Sequence, residues 1–139
     1  MLNLSQIKNE IERLALLIGA PNNLLPTYGR SEDFARPHIE IDNRGYHYVV
    51  IERGIELKRI TTSDLDELLY HVFQSVTFDL AIHYELAHRI ENQDCRRIGW
   101  ENQLELLGNL SPSWQQRRKV QLENILKEHP YNDQLQQRS

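Results

Sequence analysis

Only one cysteine, Cys95, stands in the 139 residues. A lone thiol forms no internal disulfide, and with no cysteine cluster there is no zinc-binding pattern. That usage fits a reducing, cytoplasmic setting. No apolar run approaches the ~20 residues that cross a bilayer. The start, Met1-Leu2-Asn3-Leu4-Ser5, lacks the basic n-region and apolar core of a secretory signal. The six glycines are scattered, so nothing matches a P-loop or a dinucleotide fingerprint. No Gly-x-Ser-x-Gly elbow is present. The sequence calls for no cofactor, no metal and no membrane partner.

What is present suits one globular domain with a core of its own. Hydrophobic residues make up 40% of the chain and charged residues 26%, close to the average for folded proteins. The net charge of −4 is unevenly spread. Residues 1–60 hold eight basic and eight acidic side chains. Residues 61–95 hold seven acids against Arg89 alone, and residues 96–139 hold seven basic and five acidic groups. An acidic middle block repels phosphates, so no extended nucleic-acid footprint lies there. It suits a basic protein partner instead. Acids at a helix start also complement the helix dipole, which accounts for part of the block.

The pattern predicts an α+β fold. Ile7, Ile11, Leu14, Leu17 and Ile18 recur at helical spacing over residues 1–19, with Ser5 as N-cap and Gly19 as stop. Residues 20–37 hold Pro21, Pro26, Gly29 and Pro37 and read as an ordered loop. Residues 38–60 read as a three-stranded antiparallel meander. A two-residue first turn sets Ile39 and Ile41 opposite Tyr48 and Tyr46, and a bulged turn sets them opposite Val49 and His47. The sequence leaves both registers open, and with them the choice of core face. Residues 61–129 read as three or four helices packed on one sheet face. The first starts at Ser63 and extends for about thirty residues, with a possible break at Val76-Thr77-Phe78. The second covers Cys95 to Gly108. Ser111-Pro112 is an N-cap followed by a first-turn proline. Residues 130–139 read as a loose tail.

The densest polar cluster runs from His83 to Arg97. His83, Glu85 and His88 do not form a metal helix, because five steps turn His88 about 140° from His83. The structural alternative is a framework of Glu85, Arg89, Asp94, Arg96 and Arg97. Glu85 and Arg89 pair at i,i+4, Asp94 and Arg97 at i,i+3, and Arg96 or Arg97 reaches back to Glu85.

Several blocks in order resemble the immunity protein 63 family of bacterial polymorphic-toxin systems. They are Leu25-Pro26-Thr27-Tyr28-Gly29, Arg36-Pro37-His38-Ile39-Glu40, Tyr46 to Gly54, and Thr61 to Tyr70. They continue with Tyr84-Glu85, His88-Arg89, Gln93 to Arg97, and His129 to Asp133. His71 stands where the pattern has an aromatic. The resemblance implies a protein that neutralises a toxin encoded by a neighbouring gene. It carries over no binding residues, so the expected surface comes from charge: Asp64, Asp66 and Glu67, with Glu52 and Glu56, and Tyr46 and Tyr48 as aromatic anchors. Two other readings stay open. One is a small enzyme using His83, Glu85, His88 and Cys95, the other an adaptor docking through its C-terminal helices. The oligomeric state is unassigned.

Overall fold

The computed structural model describes residues 1–134. It is α+β: helix α1 (Leu4–Leu17), a 3-10 turn at Asn22–Leu24, strands β1 (Thr27–Tyr28), β2 (His38–Asp42), β3 (Gly45–Glu52) and β4 (Ile55–Thr62), then helices α2 (Leu65–Ala87), α3 (Cys95–Leu110) and α4 (Pro112–Glu128). The chain divides into two compact units, Met1–Phe73 and the part from Gln74 onward. Three C-terminal helices form. The sheet has four strands, in the order β1-β2-β3-β4. The meander accounts for three of them. The fourth, β1, is two residues of the loop at 20–37, pairing parallel with β2 through Thr27↔His38 and Tyr28↔Ile39.

In the first unit the register is that of the two-residue turn. Asp42 pairs with Gly45, Ile41 with Tyr46, and Ile39 with Tyr48. Directly opposed residues share a face, so Ile39, Ile41, Tyr46, Tyr48 and Ile60 lie on one side. His38, Glu40, His47, Val49, Arg59 and Thr61 lie on the other. On the tyrosine side, Leu2 N–H, just before α1, donates to the Tyr46 hydroxyl at 2.8 Å, and the His71 ring of α2 lies 6.4 Å from that of Tyr48. Ile7 and Ile11 of α1 are fully buried, as are Leu68 and Phe73 at the start of α2.

Helix ends differ in detail from the sequence reading. Asn3, not Ser5, caps α1, in a capping box with Gln6. Its carboxamide oxygen accepts from Gln6 N–H, and the Gln6 side chain accepts from Asn3 N–H. Asp64, one residue past Ser63, accepts from Asp66 N–H at the start of α2. That helix has 23 residues and no break at Val76-Thr77-Phe78. Val76 and Thr77 are buried, and the Thr77 hydroxyl donates to the Gln74 carbonyl. Packing there outweighs weak helix propensity.

In the second unit α3 does not stop at Gly108 but continues to Leu110. Gly108 matters for packing instead: a Cβ there would overlap the Gln115 side chain, which donates to the Leu104 carbonyl. Ser111 caps α4 with Pro112 in its first turn, as the sequence pattern requires. The tail reading fails for residues 130–133, which are tied down as described below, and residues 135–139 lie outside the described residues.

Gly45 is the most demanding backbone position. Its φ is +128°, and a Cβ would come within 2.6 Å of the Thr62 carbonyl oxygen. Gly45→Ala should cost about 2 kcal/mol or more from backbone strain, measured as a lower urea midpoint. An unchanged midpoint would show that the turn relaxes freely.

Candidate functional site

The structure separates the acids grouped by sequence. Glu52 and Glu56 flank the Arg53–Gly54 turn. Asp64, Asp66 and Glu67 follow the other end of β4, about 20 Å away at the rise of a strand. Glu52, Glu56, Asp64 and Asp66 are exposed. Glu56 pairs with Arg59 at 2.8 Å, and Glu67 lies 3.0 Å from His71 Nε2. The expected aromatic anchors are a correction: Tyr46 and Tyr48 are only 2% and 3% exposed. Their register turns them into the core, so neither is offered to a partner.

A polar array on the opposite sheet face stands outside the residues that the sequence singles out. His38 Nε2 lies 2.6 Å from Glu40 Oε2, and Arg59 reaches both Glu40 and Glu56. His47 Nδ1 is 2.8 Å from Thr61 Oγ1, and its Nε2 is 2.7 Å from Asp42 Oδ1. The His47 hydrogen bond, with the Arg44 backbone N–H behind it, holds the Asp42 carboxyl well below its ordinary range. Hydroxyl, imidazole and carboxylate in sequence resemble a nucleophile with its base. However, His47 is 0% exposed, so a substrate does not reach the imidazole. The array clamps the β2–β3 turn to β4. Period-two alternation of His38, Glu40 and Asp42, combined with the two-residue turn, was the available signal.

In the second unit, Arg89 grips Glu85 through two hydrogen bonds of 2.8 and 3.0 Å, the i,i+4 pair read from sequence. The other expected pairings are replaced. Arg97 bonds to Asp133, at 3.0 Å, rather than to Asp94 or Glu85. Arg96 bonds to Asp94 and to the carbonyls of His129 and Pro130. Its guanidinium lies over both the Trp100 and Tyr131 rings, and that of Arg97 lies 4.1 Å from the Tyr131 centroid. Asp94 is buried, caps α3 by accepting from Arg96 N–H, and accepts from Asn132 N–H. Sequence separation of more than thirty residues hid the partners at 129–133.

The residues of the enzyme reading divide: Glu85 and Cys95 share one cavity, and His88 lines another. His88 stacks on Tyr84 at 4.1 Å and lines a depression of about 270 Å³ with Ile98, Glu101 and Glu105. Cys95 lines a different cavity, of about 260 Å³, with Phe78, Ile82, Glu85 and Trp100. Among the described residues no group of three His, Cys, Asp or Glu is placed to hold a metal ion. The adaptor reading needs one apolar strip on the last helix. Val120 and Ile125 are exposed there, but five residues apart they point about 140° from each other. Among the described residues no helix is long and apolar enough to cross a membrane.

Residues 42–124 match the model of the immunity protein 63 family, and the chain belongs to that family. The match runs from the β2–β3 turn into α4. The sequence blocks at 25–29, 36–40 and 129–133 lie outside it. No curated protein and no solved structure matches the chain.

Asp94 yields a pH prediction. Burial raises its pKa, but hydrogen bonds from Arg96 and from the Asn132 and Arg96 backbone N–H groups outweigh that and hold it at about 2. A folded value below the usual carboxylate value near ~4 stabilises the protein above that pH, and the benefit fades as pH falls towards about 2. Asp94→Asn should therefore cost on the order of 2 kcal/mol at pH 7, with wild type and variant converging in acid. Equal thermal midpoints at pH 7 would refute the assignment.

Proposed function

We propose that this protein is a cytoplasmic inhibitor that binds and neutralises a toxin encoded by a neighbouring gene of a bacterial polymorphic-toxin system. Membership of the immunity protein 63 family carries the reading. Inhibition works through occupancy, with no bond made or broken by this chain. The polar geometry supports that: His47 is sealed, and His88 and Cys95 line separate depressions. An interface of about 1,200–2,000 Å² suffices for tight binding, and exposed charges set the encounter rate more than the final affinity.

The acids best placed for steering are Asp64 and Asp66, exposed at the start of α2, with Glu67 beside them. A basic rim on the toxin would meet them. Co-expression with the adjacent toxin domain should restore growth and give a co-purifying pair. Failure of both removes the reading. Reversing Asp64, Asp66 and Glu67 to Lys should slow association about tenfold or more at low salt and flatten its salt dependence, as read by stopped-flow mixing. An unchanged association rate would move the steering charges elsewhere, to Glu52 and Glu56 first.

A further inference from the structure

β4 is the outer strand of its sheet, and the turns determine which of its amides face outward. A two-residue hairpin closes on a hydrogen-bonded pair, and bonded and non-bonded pairs alternate from there. Asp42 and Gly45 close the first turn, so Gly45, His47 and Val49 address β2, while Tyr46, Tyr48 and Val50 address β4. Glu52 and Ile55 close the second turn and give the same alternation from the other end. The Ala35 N–H, on the β2 side, donates to the Ile51 carbonyl in agreement. Tyr46, Tyr48 and Val50 pair with Thr62, Ile60 and Lys58. Those three residues turn their amides to β3, and Arg59 and Thr61 turn theirs away from the sheet.

This edge is open. Residues 55–59 and Thr61 are exposed, with Ile55 at 64% and Leu57 at 58%. The strand is eight residues long and holds no proline. A long exposed edge with apolar side chains invites another strand, and proteins usually blunt such edges. Here the blunting is partial. The register shift leaves Leu57 as an unpaired bulge residue. Lys58 lies over the Tyr48 ring and Arg59 is held by Glu56 and Glu40, so both charges are drawn over the sheet faces. The outward amides of Arg59 and Thr61 stay accessible. Beyond Thr62 the chain passes directly into the exposed carboxylates of Asp64 and Asp66.

We infer that the toxin adds a strand to β4: an extended toxin segment pairs with Arg59 and Thr61, and its basic end lies against Asp64 and Asp66. This rests on the toxin-binding reading above. Main-chain bonds supply affinity in such complexes, and alternate side chains supply selectivity. A second copy of this chain fits less well. Residues paired across a two-fold must share a sheet face, so the longest self-pairings centre on Lys58 or Arg59 and set like charges opposite each other.

The test uses the full chain and the purified toxin domain encoded beside it. Thr61→Pro removes one outward N–H at a position where an edge strand tolerates proline. Thr61→Val removes the hydroxyl contact with His47 but keeps the amide. Toxin affinity should fall about tenfold or more in Thr61→Pro and stay within about threefold in Thr61→Val. Exchange of the Arg59 and Thr61 amides in the wild type should slow when toxin is added, a readout that holds even if the proline variant unfolds. Equal affinity of the two variants, or unchanged exchange in a formed complex, overturns strand addition and leaves toxin binding standing. A wild type that does not bind the toxin overturns both. A wild-type dimer that Thr61→Pro dissociates assigns the edge to a second copy and overturns the inference.

Discussion

The two-residue turn between Asp42 and Gly45 governs the first unit more than any other contact. It sets the pairing of β2 with β3, and a slip of one residue would exchange every side chain between faces. In the register adopted, Tyr46 meets Leu2 just before α1 and Tyr48 lies near His71 of α2, while His38 and His47 take the opposite side. Asp42 is at once a turn residue, the acceptor for His47 and the acceptor for Arg44 N–H. Gly45 has to be glycine because the Thr62 carbonyl occupies the space of a side chain. The same turn dictates which β4 amides point outward. One local geometry thereby decides the core, the polar array and the exposed edge together.

The second unit relies on a different constraint, the satisfaction of buried charge. Asp94 is 4% exposed and would be costly there without partners. Arg96 and the Asn132 N–H supply them, and Asp94 N–H in turn donates to Asp133. The segment from His129 to Asp133 is thus held by several charge-assisted bonds and by Tyr131 packed on Arg97. Glu85, also buried, is answered by Arg89 through a two-pronged bond. Pairs of this kind hold an arrangement in place more than they add net stability. Their density around residues 83–97 reflects that framework.

Local signals were legible in the sequence, and long-range ones were not. Ser111-Pro112 announced its helix because the cap and the first-turn proline act within four residues. The Glu85–Arg89 pair was equally local. The register was narrowed to two options, because Asn43-Arg44-Gly45 accommodates either turn. What confines Gly45, its close approach to Thr62, lies seventeen residues away in the chain. β1 was missed because two residues carry no period. Spacing pairs Arg97 with Asp94, whereas its actual partner, Asp133, is brought near only by folding. Residue type alone suggests Tyr46 and Tyr48 as exposed anchors, but the register buries them. The acids stand out in the sequence by charge, but their separation to opposite ends of β4 does not.

A binding protein is recognised by what its fold leaves unfinished. Here the buried Glu85 and Asp94 have partners, and His38 and His47 each hold a carboxylate. The Tyr46 hydroxyl and the Gln103 amide each find a hydrogen bond as well. At the rim of the first unit β4 has one edge paired, and the exposed Asp64 and Asp66 lie just beyond it. The two features suit the two stages of association. Charge acts over about a Debye length and orients an approaching partner. Main-chain amides act only at contact, and only on a backbone presented in extended form. Asp64 and Asp66 follow Thr61 by three and five residues, so a partner drawn to the acids arrives beside the open amides. That adjacency is a consequence of β4 ending where α2 begins.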